Sequence, residues 1–210
     1  MRLIRLAMAL MMTVAVTTVL VVAQDPARGR GGQAPGGAGG GQRGGGGAPP
    51  MTLTTTAFTD GGVIPAKYTQ AGEQVSPALT WTNTPPGTVT FVLHMHDLEV
   101  ARNRTTDDQL HWLVWNIPGT ATGLPEGVPQ GADRPDGSHQ VSASGPVYRG
   151  PGAPAAGPPH HYTFEILALD TKLDVAAAAD AFETRANVMK ALQGHVLGRA
   201  VLMGLFRRPQ

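Results

Sequence analysis

The chain has 210 residues, no cysteine and a formal net charge of +1, which corresponds to one domain or two small ones. The absence of cysteine excludes disulfides, thiolate nucleophiles and cysteine-based zinc sites. Five of the 16 basic residues and one of the 15 acidic residues precede Met51, so the remainder holds 11 basic and 14 acidic residues, a net charge of −3. That remainder lacks the basic surface of a nucleic-acid-binding protein, and we predict no nucleic-acid partner.

Residues 1–23 have the pattern of a signal peptide. Arg2 and Arg5 precede an almost wholly apolar run, and Ala23 provides a small residue before the predicted cleavage point. The apolar run is at the short limit for a membrane span, so a cleaved signal is favoured over an uncleaved membrane anchor. We therefore predict export to the periplasm or the extracellular space. Amino-terminal anchoring is the alternative, and an uncleaved signal would be the only membrane contact.

Residues 24–50 are rich in glycine, with scattered arginine, alanine and proline. A segment of this composition has almost no apolar surface to bury, so we expect a disordered linker. The folded domain is predicted to comprise residues 51–210.

The pattern of the domain is mainly that of short strands separated by turns rich in glycine, proline, aspartate and asparagine. The predicted strands are residues 51–58, 63–65, 79–81, 88–95, 110–117, 162–169 and 200–206. Only residues 175–192 have helical character, with Asp174 as the expected N-cap. The sequence therefore predicts a mainly β domain with one late helical segment and no internal repeat.

Polar residues with chemical potential stand at the ends of these strands. Asp97 follows one strand, His111 begins the next, and His160 and Tyr162 begin another after a loop rich in glycine and proline. A carboxylate favours the charged form of a neighbouring imidazole and determines which of its nitrogens carries the proton. A glycine such as Gly152 allows backbone N–H groups to approach a ligand. Together these residues predict a pocket for an anion.

The order of several motifs resembles the phosphatidylethanolamine-binding protein family, in its bacterial Raf-kinase-inhibitor-like branch. The matching segments are residues 58–61, 64–65, 72, 76–77 and 79–81 for the opening signature, 97–99 for the Asp-Pro-Asp motif, 111–118 for the second signature, 148–154 with 160–164 and 168–170 for the third, and 194–197 near the carboxyl end. The resemblance covers essentially all of residues 58–207.

The resemblance implies an antiparallel β-sandwich with short carboxyl-terminal helices and a small anion pocket at one end. By matching position, the ligand-binding residues would be Asp97, His111, Gly152, His160 and Tyr162. Family members accept phosphate-like groups, including phospholipid head groups and phosphorylated side chains. Eukaryotic members inhibit kinases or proteases.

The chain departs from the family pattern beside the predicted pocket. Leu98 replaces a proline and Glu99 an aspartate, so we expect the loop after Asp97 to be less rigid. Ala101 and Ala153 also stand where proline is usual. These differences bear on the choice of ligand.

The first functional hypothesis is an exported binding protein, not an enzyme, with no cofactor and no metal. It would capture a small phosphate- or carboxylate-bearing ligand, and binding would weaken above neutral pH as the histidines lose protons. One alternative is an inhibitor or interaction protein with a protease or kinase as its target. The other is a metal-assisted hydrolase, in which His94 and His96 share a strand face and join His111 or His160.

Three further side chains have predicted environments. Trp112 and Trp115 are three positions apart on a strand and should lie on opposite faces, one in the core and the other at a rim. His139 is expected to be exposed in a polar loop.

Overall fold

The computed structural model describes residues 49–210. The predicted signal peptide, residues 1–23, lies outside the described residues, as does all of the predicted linker except Pro49 and Pro50. No helix in the described part of the chain is long and apolar enough to cross a membrane.

Within residues 49–210, nine strands form two sheets, and one α-helix packs beside them. In chain order the elements are β1 (Thr52–Thr54), β2 (Gly62–Val63), β3 (Leu79–Thr82), β4 (Thr90–Asp97), β5 (Gln109–Pro118), β6 (Gly123–Leu124), β7 (His139–Val141), β8 (His160–Leu169), α1 (Ala181–Ala191) and β9 (Val196–Phe206). The smaller sheet has the order β1-β3-β6, and the larger has the order β2-β9-β8-β4-β5-β7. All neighbouring strands are antiparallel except β2 and β9.

The central strands of the large sheet are buried on both faces, which explains their nearly continuous apolar sequences. One face packs against the small sheet through side chains such as Trp81, Phe91 and Trp112. The other face packs against α1 and the segment before it, with Trp115 and Val188 among the buried residues. The predicted antiparallel β-sandwich is thereby confirmed, with α1 covering part of its outer face.

The predicted helix was too long, and its predicted N-cap was wrong. The helix begins after Asp180, whose carboxylate accepts hydrogen bonds from the N–H groups of Phe182 and Glu183. The preceding segment is held by other partners: the carbonyl of Val175 accepts from the Trp115 indole at 3.0 Å, and the N–H of Ala178 donates to Thr184. These bonds outweigh the high intrinsic helix propensity of the alanines, which is worth less than about 1 kcal/mol per residue.

Two predictions about the edges of the large sheet also need correction. His139 does not lie in a loop but begins the edge strand β7, and its ring nitrogen donates to Asp133 at 2.7 Å. Trp112 and Trp115 lie on opposite faces as expected, but both are fully buried and neither is at a rim. The outer face of β5 is covered by the segment around α1, which the strand pattern alone does not reveal.

Strand β5 contains an irregularity at Asn116, which has a positive φ of 59°. The buried Asn116 amide donates to the carbonyl of Leu173 at 3.0 Å and accepts from the N–H of Leu173 at 2.8 Å. The Asn116 side chain therefore makes the two hydrogen bonds to the backbone of Leu173 that a neighbouring strand would make. It fixes the chain that leads from β8 towards α1.

Candidate functional site

The five residues of the predicted anion pocket lie around one small cavity of about 230 Å³ at the end of the large sheet. We call it the Asp97 cavity. Its lining comprises Gln70, Asp97, Val100, Gln109, His111, Arg149, Gly152, Ala153, Pro154, His160 and Tyr162. Its volume is below the range typical of pockets for drug-sized ligands, so it suits a small group.

The pairing of β4 with β8 places the acid and the phenol side by side. Asp97 is the last residue of β4 and lies directly opposite Tyr162 in the antiparallel pair, so both side chains are on the same face. Asp97 is only 3% exposed, and Tyr162 is fully buried. Asp97 and Tyr162 are 65 residues apart in sequence, and the register of this strand pair places them side by side.

His111 reaches the cavity because of a β-bulge. Met95 pairs with Trp112 and the next residue, His96, pairs with Leu110, which leaves His111 as the extra residue of β5. The bulge turns the imidazole towards Tyr162, and the two rings meet edge to face with centroids 5.1 Å apart. The Nδ1 of His111 donates to the carbonyl of Arg149 at 2.9 Å.

Asp97 orients the second imidazole of the cavity. The Nδ1 of His160 donates to the Asp97 carboxylate, at 2.9 Å from Oδ2 and 3.1 Å from Oδ1. This contact places the ring proton on Nδ1, so Nε2 remains for another partner. The centroid of the Tyr162 ring lies 6.5 Å from that of His160 and 5.1 Å from that of His111.

The Tyr162 hydroxyl organises the loop that closes the cavity. Its oxygen accepts hydrogen bonds from the N–H groups of Gly152 at 3.1 Å and Ala153 at 2.9 Å. The Gly152 N–H is therefore engaged by the protein, and what Gly152 provides instead is space. A Cβ at this position would lie 2.4 Å from the amide nitrogen of Gln70. The hydroxyl can still donate its own proton, and the neighbouring Asp97 carboxylate is an acceptor for it within the protein.

The surroundings of His111 and Tyr162 in the cavity shift the pKa values of both groups. Burial lowers the pKa of His111. The hydrogen bond to the Arg149 carbonyl and the Asp97 charge oppose this shift in part, and the Arg149 charge adds to it. Burial raises the pKa of Tyr162, and the negative charge of Asp97 adds to this effect. At neutral pH we therefore expect a neutral His111 and a protonated Tyr162.

The sequence did not single out five of the residues that line the Asp97 cavity: Gln70, Val100, Gln109, Arg149 and Pro154. Arg149 and Gly150 belong to the quoted third motif, so the position of Arg149 was a usable signal. Gln70 comes from the loop near β2, and its amide donates to the carbonyl of Gly150 at 2.8 Å. No sequence pattern links Gln70 with that loop.

Glu99 holds the loop after Asp97 in place by hydrogen bonds, although Leu98 stands where the family has a proline. The N–H of Glu99 donates to Asp97, and the Glu99 carboxylate accepts from both the backbone and the ring of His161. Burial of Glu99 is outweighed by these bonds, so its pKa is lowered. Asp97, Glu99 and His160 also place ligand atoms within 4.8 Å of one another, close enough for a metal ion. Each carboxylate, however, already accepts from an imidazole.

The histidine metal site considered as an alternative does not form. His94 and His96 do share a strand face, with their rings stacked 4.3 Å apart. That face is directed towards α1, and His96 pairs with Asp108 there. Asp97 and the cavity lie on the other face, because odd and even positions of β4 alternate. His94 and His96 therefore cannot join His111 or His160.

The comparisons with known proteins agree with this architecture. A family model described as phosphatidylethanolamine-binding protein matches residues 54–207. A UPF0098 protein of Methanothermobacter thermautotrophicus is 42% identical over 158 residues, covering 74% of this chain and 98% of that protein. A UPF0098 protein of Pyrococcus horikoshii is 34% identical, covering 73% of this chain and 75% of that protein.

Two solved structures show the same fold. A phosphatidylethanolamine-binding protein homologue from Chlamydia trachomatis superposes with a TM-score of 0.64 at 28% identity, covering 76% of this chain and 98% of its own. YbcL from E. coli, described as a member of the mammalian family, gives a TM-score of 0.62 at 27% identity, with 75% and 98% covered. The chain belongs to the phosphatidylethanolamine-binding protein family.

Proposed function

We propose that this protein binds a small anion, bearing a phosphate or carboxylate group, in the Asp97 cavity, and that it acts by binding and not by catalysis. The observation that carries the proposal is the convergence of two imidazoles and a phenol on one small cavity. The inward nitrogens are oriented by Asp97 and by the Arg149 carbonyl. Such fixed polar groups are what a small-ligand site needs for orientation and specificity.

The ring nitrogens define what the ligand would meet. His160 and His111 both use Nδ1 for a contact within the protein, so Nε2 of each ring is the atom left for the ligand. The Nε2 of a neutral His111 would accept a hydrogen bond from a ligand hydroxyl, or take a proton from solvent when an anion binds. Tyr162 adds a hydroxyl donor, and Arg149 adds a permanent positive charge near the cavity.

Catalysis by acyl transfer has little support in the cavity lining. The Tyr162 phenol is the only hydroxyl group in that lining, and Ser142 lines a different cavity. A nucleophile would need an adjacent base, and the Tyr162 oxygen is occupied by two backbone N–H groups.

A metal-assisted hydrolase remains the second candidate because of the group Asp97, Glu99 and His160. Elemental analysis of the purified protein tests it directly. A stoichiometric divalent metal lost in an Asp97→Asn variant would favour this candidate over simple anion binding.

We also propose that the protein is exported from the cytoplasm. Export to the periplasm or the extracellular space rests on the signal pattern of residues 1–23. The mass of the mature protein purified from its host tests it: cleavage after Ala23 would remove the first 23 residues. An exported protein would not meet cytoplasmic kinases, so an inhibitory role would require a target in its own compartment.

Calorimetry with phosphoethanolamine at pH 6 and pH 8 tests the binding function. A bound anion favours protonated imidazole, so affinity should rise as the pH falls through the lowered pKa of His111. Because the bound anion raises the pKa of His111 above that of the free site, the change in affinity should span the pH range between these two values. The His111→Ala, His160→Ala double variant should bind about 100-fold more weakly, because two charge-assisted hydrogen bonds are lost.

The matched control removes two imidazoles elsewhere. His139 and His195 pair with Asp133 and Asp170 away from the cavity, so a His139→Ala, His195→Ala variant should bind normally. Equal affinity in the His111, His160 double variant and the wild type would refute the proposed site.

A further inference from the structure

Two arginines without acidic partners stand at the mouth of the Asp97 cavity. Arg149 belongs to its lining. Arg208, just after β9, donates from its backbone N–H to the carbonyl of Ala153 at 3.2 Å and from Nη2 to the side-chain oxygen of Gln70 at 3.4 Å. Both acceptors belong to residues of the cavity lining, so Arg208 lies beside the opening.

Gln70 connects the two arginines across the loop. Its amide nitrogen donates to the carbonyl of Gly150, next to Arg149, while its oxygen accepts from Arg208. The Gln70 side chain fits there only because Gly152 has no Cβ. The arrangement brings Arg208 beside the loop that carries Arg149, whose Nη1 donates to the hydroxyl of Ser144 at 3.3 Å.

The charges of these arginines are not neutralised by the fold. Within residues 49–210, the arginines that have a carboxylate within 4.0 Å are Arg134, Arg185 and Arg199, and neither Arg149 nor Arg208 is among them. The Nε of Arg149 is also buried without a hydrogen-bond partner in this part of the chain. A buried donor left unpaired costs about 1–3 kcal/mol, and an acceptor from a ligand would offset that cost.

We propose that Arg149 and Arg208 form a second anionic subsite at this mouth, so that the ligand carries two anionic groups. This inference rests on the proposed function, because the inner group would occupy the Asp97 cavity beside His111, His160 and Tyr162. The outer group would be held by the two guanidinium groups, whose planar N–H donors match phosphate oxygens. The ligand class is therefore that of compounds with two neighbouring phosphate-like groups.

Calorimetry with orthophosphate, pyrophosphate and methylenediphosphonate at pH 7.5 and equal ionic strength tests the subsite. Both two-phosphorus probes should bind at least about tenfold more tightly than orthophosphate, because two charged donors are added. The Arg208→Gln variant should change orthophosphate affinity by less than about threefold, because Arg208 is not part of the Asp97 cavity lining. The Arg149→Gln, Arg208→Gln double variant should bind orthophosphate more weakly, since Arg149 lines that cavity, and should lose most of the advantage of the two-phosphorus probes. The single Arg208→Gln variant, at an exposed position, should lose part of it.

The control for general electrostatics is Arg199→Gln, which removes the same charge from β9 at a site paired with Glu165. It should preserve the ratio of pyrophosphate to orthophosphate affinity. Equal affinity for the two anions in the wild type would overturn the inference, as would a ratio that survives the double arginine variant. If neither anion binds, the proposed function itself fails.

Discussion

Lowering the pH from 6.5 towards 5 should destabilise the domain by about 1.4 kcal/mol per pH unit through His94 alone. His94 is 7% exposed, and its Nε2 has no hydrogen-bond partner within the described chain. Burial lowers its pKa to about 3, and the positive charges of His96 and Arg185 add to this effect. The nearby Asp108 opposes the shift only in part.

The direction of the effect follows from proton binding. The folded pKa of His94 lies below the unfolded value of 6.5, so between these values the unfolded chain binds more protons than the folded one. The contribution of His94 is fully present above pH 6.5 and is lost as the pH falls. At pH 3 the loss would be on the order of 4 kcal/mol, a large fraction of the stability of a typical domain.

Urea unfolding at pH 7, 6 and 5 measures this dependence. His94 faces His96 on its own strand, Glu165 on β8, Asp108 before β5 and Arg185 on α1. A His94→Leu variant retains these neighbours and should have a flatter pH profile, by about one proton. A His195→Leu variant, at a half-exposed position, should keep the wild-type slope. Identical slopes for His94→Leu and the wild type would contradict the assignment.

The Tyr162→Phe variant should lose about 2–4 kcal/mol of stability together with most of its anion affinity. Removal of the hydroxyl leaves the N–H groups of Gly152 and Ala153 without their acceptor at a nearly closed site. It also frees the loop that shapes the Asp97 cavity. Affinity for phosphoethanolamine should fall by at least about tenfold, because the donor and the loop geometry are lost together.

A Tyr148→Phe variant is the matched control, since its buried hydroxyl donates to the carbonyl of Tyr68 at 2.8 Å and does not line the Asp97 cavity. It should reduce stability without a comparable loss of affinity. Unfolding midpoints and calorimetry on both variants separate the two effects. If Tyr162→Phe binds as tightly as Tyr148→Phe, the hydroxyl has no role in the site.

The sequence, through its strand pattern and its resemblance to the family, was sufficient for the fold class, and the five residues that it predicted for an anion pocket do lie around one cavity. Alternating and continuous apolar runs predicted the strands, and polar residues at strand ends predicted which side chains would meet. Asp97 and Tyr162 could be placed together because they stand at the ends of two strong strand patterns. Periodicity indicates which face a side chain occupies, and turn residues indicate where a strand stops.

Tertiary structure alone decided the features that depend on a second segment of chain. The bulge that leaves His111 unpaired arises from the pairing of β4 with β5, and the start of α1 arises from bonds to Trp115 and Thr184. The burial of His94 requires α1 above it. Arg208 and Gln70 are 138 residues apart and meet only because β9 ends beside the loop at Gly152. A local pattern carries no information about such partners, because the contact energy belongs to pairs that folding alone brings together.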